Sequence, residues 1–364
     1  MGIFQSLHPQ TWIPGWSRGF YCSDLSRRKF LLQVLEMSIQ NSITSKFTVI
    51  IVNYNGGDLL KDCVLSITKT GLAAHQIIIV DNGSKDSSIA LLLQSTPGCK
   101  IIKNGCNAGF SKAVNKGLFY AKTDYSVLVN NDAQLDINAF NALHEAFENH
   151  PRAAFLGGRL LNLDGSFQNS IAPFPRLLTE IIPRPIQRMI WPSRTGSYHT
   201  TDTDIPVESV IGALFSIRMT AIPSIGFLDE DFFFFLEETE WCYRAWQKNW
   251  EVWHVPAARA THIQGATAKK FSALARIEFH RSRLKYFKKT KPNIYQIILI
   301  ITWIKSISNT LSNSIAVLIT LGLSKKILEK SIVYWRILIW YLNGRPEDVG
   351  LPDKCIMPAT PRSK

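Results

Sequence analysis

Several things are missing from this sequence, and each absence narrows what it can be. No GxGxxG follows its first apolar run and no GxxxxGK[ST] occurs anywhere, which disfavours dinucleotide oxidoreductases and P-loop enzymes. Cysteine is sparse: six residues, at 22, 63, 99, 106, 242 and 355, with no CxxC and no metal-ligand spacing, so a reduced compartment fits best. Glycine and proline, 21 and 17 in 364 residues, are too few and too unpatterned for a fibrous protein. Near the start, Pro9, Trp12, Pro14 and Trp16 interrupt any apolar run and no small-residue cleavage site follows one. No secretory signal is read there, and export is not expected. Acid is short as well. The 28 Asp+Glu face 41 Lys+Arg, leaving +13, which implies an anionic partner: nucleic acid, an acidic membrane face or a phosphorylated substrate. What the chain does have is apolar residues, 46% of the total, enough for a globular core and too many for a mainly disordered chain.

Residues 1–46 carry no sustained periodicity beyond a short helix over 27–37, and read as an N-terminal extension. From Phe47 the texture changes to short β-branched runs, FTVIIVNY (47–54), QIIIV (76–80), KIIK (100–103) and YSVLVN (125–130), separated by helical patterns over 58–70, 86–95 and 108–122. Continuous apolar strands with crossover helices predict a parallel sheet covered on both faces, a doubly wound α/β half-domain. Ligands of such sheets bind outside the carboxyl edge of the strands. The strands here end in Asn53-Tyr54-Asn55, Asp81-Asn82-Gly83-Ser84, Asn104 to Gly109 and Asn130-Asn131-Asp132. Any one of these clusters is explained equally well by turn formation; four at one edge point to a ligand. Residues 151–210 are irregular and Pro-rich, with basic residues over 183–194, and read as an acceptor-facing segment. A second compact block spans 208–267. Residues 268–291 then hold nine Lys/Arg against one Glu, and 294–342 are strongly apolar.

Asp132 closes the NND triplet. A carboxylate there can hold a divalent cation, or can simply cap the helix that follows. Asp229, Glu230, Asp231, Glu237, Glu238 and Glu240 place six carboxylates within twelve residues, with no Lys or Arg among them. The last three open a predicted helix, where negative charge is favoured. One of them can also serve as a general base, raised toward neutral pKa by burial among Phe232 to Phe235. His262, in THIQGAT, is either a metal ligand or a structural histidine.

Five stretches, VIIVNYNGG (49–57), IIIVDNGSKD (77–86), NAGFSKAVNKG (107–117), LVNNDA (128–133) and FLDEDFFFFLEETEWCYRAWQKNW (227–250), together resemble family 2 glycosyltransferases, in particular the rhamnosyltransferase-like branch. The resemblance covers about 47–290. It implies a GT-A fold, with a nucleotide-sugar half over about 47–135 and an acceptor half over about 136–267, inverting chemistry, and Mn2+ or Mg2+. It implies donor contacts from Asn53, Asp81, Asn107, Gly109 and Asn131, metal binding by Asp132 and His262, and Glu238 as the base, with Glu237 and Glu240 as alternatives. Glu238 stands where Asp is commoner, which moves the carboxylate by one carbon–carbon bond. Arg281, or Arg283, is a further candidate for the donor diphosphate. The QxxRW of processive synthases is absent, since Gln247 is followed by Lys248-Asn249-Trp250, so transfer of one sugar is expected.

The expected donor is dTDP- or UDP-linked, and the expected acceptor a glycan or polyprenyl-diphosphate-linked glycan in cell-surface polysaccharide biosynthesis. Lys305 and the Ser/Asn residues of 306–314 interrupt the apolar tail, so no clean span of about twenty apolar residues is read, though 306–323 stays a candidate. Amphipathic helices over 292–364, anchored by Trp303, Trp335, Trp340 and Tyr341 and preceded by the basic 268–291 linker, suit an anionic membrane surface on the cytoplasmic side. A homodimer interface is the alternative for this tail. The reading from another class is a non-catalytic nucleic-acid binder using the interleaved basic and aromatic residues of 269–291 (Phe271, Phe279, Tyr286, Phe287); it lacks any recognised motif, and no nucleic-acid partner is expected.

Overall fold

The computed structural model describes residues 29, 33, 38–182, 184–190, 201–263 and 272–355. Two compact units separate, Met1–Ser42 and Ile43–Lys364. In the first, the described residues are helical; most of the helix predicted over 27–37 lies outside the described residues.

The second unit is built on a mixed sheet. Strands β1 (Phe47–Asn53), β2 (Ile77–Asp81), β3 (Lys100–Lys103) and β4 (Tyr125–Val129) are parallel, in spatial order β3-β2-β1-β4. Their order reflects right-handed crossovers through helices Gly57–Lys69, Ser88–Ser95 and Phe110–Tyr120. The strands are apolar on both faces because both are covered: Val49, Ile51, Ile77 and Ile79 enter one core, and Ile50, Ile78 and Val80 the other. The first crossover helix shows why it forms and where it docks. Leu60, Cys63, Val64 and Ile67 are buried at helical spacing, with Asp58 in its first turn and Lys69 in its last.

Beyond β4 the sheet changes direction. After β5 (Ala133–Leu135) and helix Ala139–Asn149 come β6 (Ala153–Leu161), the short β7 (Phe167–Gln168), β8 (Ile171–Ala172), β9 (Ile205–Pro206) and β10 (Ser209–Val210), then β11 (Leu214–Arg218) and β12 (Glu251–His262). β11 inserts antiparallel between β4 and β6, and β12 runs parallel to β6 and antiparallel to β5. The path is β3-β2-β1-β4-β11-β6-β12-β5, with β7 on β6 and β9 on β12, and β8 and β10 form a separate ribbon. The mainly parallel α/β sheet expected from the sequence is present. The acid-bearing helix Glu237–Gln247 is fixed by Trp241, fully buried against Phe155 and Phe215, with its Nε1–H donating to the Gly226 carbonyl at 2.8 Å.

Helices Ser272–Thr290, Tyr295–Ile319 and Lys325–Leu342 complete the unit. They share a third core in which Phe232 meets Ile277, Leu284, Phe287, Ile298 and Ile337. Lys305 stands within the apolar run, as expected, but the helix passes through it: from Pro292 to Ile319 a single 28-residue helical stretch has a mean hydropathy of 1.3 over its most apolar window, long and apolar enough by length and composition to cross a membrane. The Lys305 ammonium donates to the Glu180 carbonyl. The 272–290 helix is not the solvated basic stripe that composition suggested: Arg281 pairs with Glu278, Arg283 with Glu180, Lys285 with Glu347, and Lys289 with Asp229 and Asp231. Tyr286 and Phe287 are fully buried and present no ring for a base to stack on; Phe271, Lys269 and Lys270 lie outside the described residues.

The scattered cysteines also hold a surprise. Cys106 and Cys355, separated by 249 residues, form a disulfide with Cα atoms 5.3 Å apart, which the expectation of fully reduced cysteines did not include. Spacing along the chain carries no trace of a pairing made by the return of a distant segment. Cys63, Cys99 and Cys242 are free and buried.

Truncating Trp241 removes the anchor that sets the pitch of the acid helix. Trp241→Ala should cost about 3–5 kcal/mol, the range for large aromatic truncations in a core, read as a lowered urea midpoint with an unchanged slope.

Candidate active site

The polar strand ends converge. Asn53, fully buried, lies at the centre: its Nδ2 is within 3.1 Å of Asp81 Oδ1, 3.0 Å of Ser84 Oγ and 2.9 Å of Ser88 Oγ, while its Oδ1 accepts from Asn131 Nδ2 at 3.2 Å. Asp81 also accepts the Ser84 N–H. Asn53 and Asp81 therefore spend their polar atoms on each other and on the neighbouring loops, tying the ends of β1, β2 and β4 together. Asn82 Nδ2 donates to Gly109 O at 3.1 Å and accepts at Oδ1 from Asn104 at 2.7 Å, extending the brace to the loop after β3.

Above this brace lies a cavity of about 360 Å3, a size usual for small-molecule sites. Asn107, Gly109, Asn131, Asp132, His262, Glu237 and Glu238 all line it. Gly109 has a structural duty there. Its φ is +87°, and a Cβ on it would sit 2.7 Å from Phe233 O, the carbonyl that accepts the Phe110 N–H. The close approach this glycine permits is to the Phe233 backbone.

Asp132 and His262, 130 residues apart, are brought together by the β5–β12 ladder, where Ala133 opposes His262 and Ile263 N–H donates to Asp132 O at 3.0 Å. His262 Nε2 lies 3.2 Å from Asp132 Oδ1. Its other nitrogen, Nδ1, is 2.7 Å from Gln168 Oε1. The Gln168 amide is oriented by its Nε2, which donates to His262 O and to Asn162 Oδ1, both at 3.0 Å. An oxygen facing Nδ1 can only accept, so in the neutral ring the proton sits on Nδ1 and the Nε2 lone pair faces the cavity, within 3.3 Å of the Asn130 amide nitrogen. A lone pair and a carboxylate oxygen 3.2 Å apart are what a shared cation requires. Two ligands at ~2.1 Å and right angles on one octahedral ion lie ~3 Å apart, and the carboxylate suits Mn2+ or Mg2+. Among the described residues no group of three or more His, Cys, Asp and Glu assembles, so remaining ligand positions would fall to substrate oxygens and water.

The acidic stretch divides by duty. Asp229 and Asp231 bind Lys289, and Glu230 accepts from Asn115 at 3.0 Å. Glu240 is held by Arg244 Nε at 2.8 and 3.0 Å and does not line the cavity. Glu237 and Glu238 remain. Each has one carboxyl oxygen without a partner. Burial, together with the charge of Glu238, raises the Glu237 pKa well above the ordinary carboxylate range, and burial likewise raises that of Glu238, against the opposing Gly212 N–H. Both are presented by Phe235 and Leu236, whose φ angles of +71° and +64° are strained for bulky residues. That left-handed pair turns the chain so that the helix begins pointing its first carboxylates inward.

Arg281 is not brought to the site. It is 4% exposed, bound to Glu278 and to the carbonyls of Pro346 and Val349. Arg283 is bound to Glu180. Asn130 and Phe233–Phe235, which the sequence placed at a strand end and around the acids, do line the cavity; sequence reasoning missed Gln168 and, from the far end of the chain, Leu351 and Pro352, all at the cavity or one bond from it and none with a visible signal.

Residues 48–222 match the family model Glycosyl transferase family 2. The chain is similar to the N-acetylglucosaminyl-diphospho-decaprenol L-rhamnosyltransferase of Mycobacterium tuberculosis (strain CDC 1551 / Oshkosh), 24% identical over 256 residues, 66% of this chain and 83% of the relative. It is also similar to a low-salt glycan biosynthesis hexosyltransferase of Haloferax volcanii, 29% identical over 243 residues, 65% of this chain and 73% of the relative. A solved mannosyltransferase of Pyrobaculum calidifontis, in complex with GDP-Man and Mn2+, aligns with a TM-score of 0.49 at 13% identity, over 89% of this chain and 97% of its own, too distant to bear on function.

The Glu237–Glu238 pair holds a proton more tightly when folded than when unfolded. Its effect on stability is therefore nil at low pH and becomes a penalty as pH rises from the ordinary carboxylate pKa to the raised one, persisting above it. Glu237→Gln removes that penalty: the variant should melt above the wild type at about pH 8, with the difference closing toward about pH 4, in thermal melts at the two pH values.

Proposed function

We propose, from the match of residues 48–222 to glycosyl transferase family 2 and a strand order compatible with the GT-A fold, that the chain transfers one sugar, with inversion, from a nucleotide-diphosphate donor to a hydroxyl of a lipid-linked glycan. The observation that carries this reading is the sharing of one cavity by a cation-ready pair, Asp132 with His262, and a partly unpartnered carboxyl of raised pKa, Glu238.

In this mechanism the ionised Glu238 takes the proton from the acceptor hydroxyl as that oxygen attacks the anomeric carbon, and the bond to the departing nucleotide diphosphate breaks on the opposite face. Burial against Phe233–Phe235 makes Glu238 basic enough for the task, and the Gly212 N–H holds its orientation. Glu237, more deeply buried at 3% exposure, keeps the proton of the pair, so that a single negative charge faces the acceptor. Mn2+ or Mg2+ held by Asp132 and His262 would neutralise charge developing on the diphosphate. Gln168 keeps His262 in the tautomer that turns the Nε2 lone pair, here accepting from the Asn130 amide, to the cavity side where such a ligand would sit. Asn107, Gly109 and Asn131 border the donor, and the Asn53–Asp81 brace holds their loops in register. A dTDP-linked rhamnose as donor, and a polyprenyl-diphosphate-linked acceptor, are favoured by similarity to the mycobacterial enzyme; a UDP-sugar is the second choice. Transfer of a single sugar agrees with the missing QxxRW.

We place the enzyme peripherally on the cytoplasmic face of the membrane. Support comes from the hairpin formed by the last two long helices. Its tip exposes Leu318, Ile319, Leu321, Leu323, Leu328 and Ile332, reaching 86% at Leu323, beside the exposed Lys325, Lys326 and Lys330. Apolar side chains ringed by ammonium groups suit the interface of an anionic bilayer. The basic groups that matter are thus on the tip, since those of the 272–290 helix are largely spent on internal pairs.

Glu238→Gln should lower transfer by about a thousandfold, within the range for loss of a general base, while nucleotide binding survives. Asp132→Ala should abolish transfer and also the rise in Tm that Mn2+ with nucleotide diphosphate gives the wild type. Near wild-type turnover of either variant, followed as release of nucleotide diphosphate, refutes the assignment.

For the hairpin, flotation with vesicles containing phosphatidylglycerol should carry the full-length protein, and replacing Leu321, Leu323 and Leu328 with Ser should leave it at the bottom of the gradient. Equal flotation of both proteins, or a dimer that dissociates on the same replacements, would overturn the membrane role.

A further inference from the structure

After the last helix the chain returns to the cavity, and the returning segment is fastened at every step. Arg281 donates to the carbonyls of Pro346 and Val349. Lys354 Nζ bonds the buried Glu278 at 2.7 Å and lies 4.7 Å from the centre of the Phe233 ring. Asn107 N–H donates to Asp353 O at 3.2 Å, and Cys355 N–H donates to Asn107 O at 2.9 Å. Tyr54 Oη donates to Asp353 Oδ2 at 2.6 Å, and Lys85 Nζ to its Oδ1 at 3.0 Å. The Cys106–Cys355 disulfide completes the attachment.

What this segment is fastened to gives it a role. Tyr54, Asn107 and Gly109 line the cavity, and so do Leu351 and Pro352. Cys106 belongs to the loop that carries Asn107 and Gly109, and that loop is wedged against Gly83, where a Cβ would meet Cys106 Cα at 2.7 Å. The segment therefore walls a cavity without filling it, on the side bordered by the strand-end loops. Its ties to Tyr54 and Lys85 are exposed and weak on their own. Of all the ties, buried Lys354–Glu278 and the Asn107 backbone bonds included, the covalent one is the tie that a reductant can break.

We propose that Gly350–Cys355 is a movable wall of the nucleotide-sugar site, latched by Cys106–Cys355, so that donor affinity follows the redox state of this pair; this rests on the reading of the cavity as the donor site. A dithiol reductant opens the latch. Its thiolate attacks one sulfur, the second thiol resolves the mixed disulfide, and two protein thiols and an oxidised dithiol result, with two electrons and two protons transferred. Both cysteines are half-buried, within reach of a reductant, whereas Cys63, Cys99 and Cys242 are buried and free. A protein using nucleotide sugars at the cytoplasmic face meets a reducing thiol pool, where the disulfides that occur are usually transient, catalytic or sensing.

The test is isothermal titration of UDP and of dTDP, each with Mn2+, into the full-length protein, air-oxidised and then treated with dithiothreitol. Non-reducing peptide mapping should find Cys106 linked to Cys355, and reduction should weaken nucleotide binding by about tenfold, the scale of losing a few ordered contacts. Cys355→Ser should bind as the reduced protein does, with or without reductant; because the wild-type comparison needs no variant, a misfolded Cys355→Ser leaves the test intact. An unchanged or tighter Kd on reduction, or an absent Cys106–Cys355 link, overturns the latch and leaves the donor site standing. Failure of both nucleotides to bind in either state overturns the donor-site reading and the latch together.

Discussion

The cavity depends on the antiparallel pairing of β12 with β5. Nothing in the covalent chain brings Asp132 near His262; the ladder does, by setting Ala133 against His262 and passing the Ile263 N–H to the Asp132 carbonyl. Because side chains alternate across a strand, a slip of one residue would turn His262 to the opposite face and leave Asp132 alone. The register is held from the other side as well, since β12 pairs with β6 over eight residues and absorbs irregularity between Val255 and Arg259. Gln168, on the short strand added to β6, then reaches the imidazole. One sheet edge thus fixes the distance of the pair, the tautomer of the histidine and the direction of its Nε2 lone pair.

Charge is organised on the same principle of local satisfaction. The most basic stretch of the sequence meets acidic partners gathered from four regions: Glu180, Asp229 with Asp231, Glu278 and Glu347. Those pairs bring the C-terminal helices onto the segment that precedes the acid helix. Lys289 also takes Asp229 and Asp231 away from the site; with Glu230 on Asn115 and Glu240 on Arg244, four of the six clustered carboxylates are occupied elsewhere and Glu237 and Glu238 remain.

The strained turn at Phe235 and Leu236 belongs with this arrangement. Its left-handed backbone is unfavourable in isolation, and it is held between the Phe233 carbonyl, bound by Phe110 N–H, and the Phe234 carbonyl, bound by Ser282 Oγ. The helix that follows β3 and the C-terminal helices therefore both grip the peptide that aims Glu237 and Glu238. The returning segment 345–355 closes the same region from outside, anchored on Glu278 and Asn107.

The parallel half of the fold was legible in the sequence because each buried strand is an unbroken β-branched run followed by polar turn residues, and the five motifs carried the family resemblance and singled out Asp132, His262 and Glu238, which the fold brings to one cavity. Those signals are local. Arg281 was misjudged because charge type says nothing of the direction in which a helical side chain points, and Gln168 because an amide that orients a histidine looks like any other. Lys305 does divide the apolar run of the tail, but only the fold shows that its ammonium is taken up by the Glu180 carbonyl. By itself the sequence determined which residue types stand at the strand ends and that acids cluster before one helix. Only the tertiary structure decided which of those acids stay unpaired, which histidine nitrogen turns its lone pair to the cavity and that Cys355 meets Cys106: Lys289 reaches Asp229 across 60 residues, Gln168 reaches His262 across 94 and Cys355 reaches Cys106 across 249, and no spacing along the chain encodes those contacts.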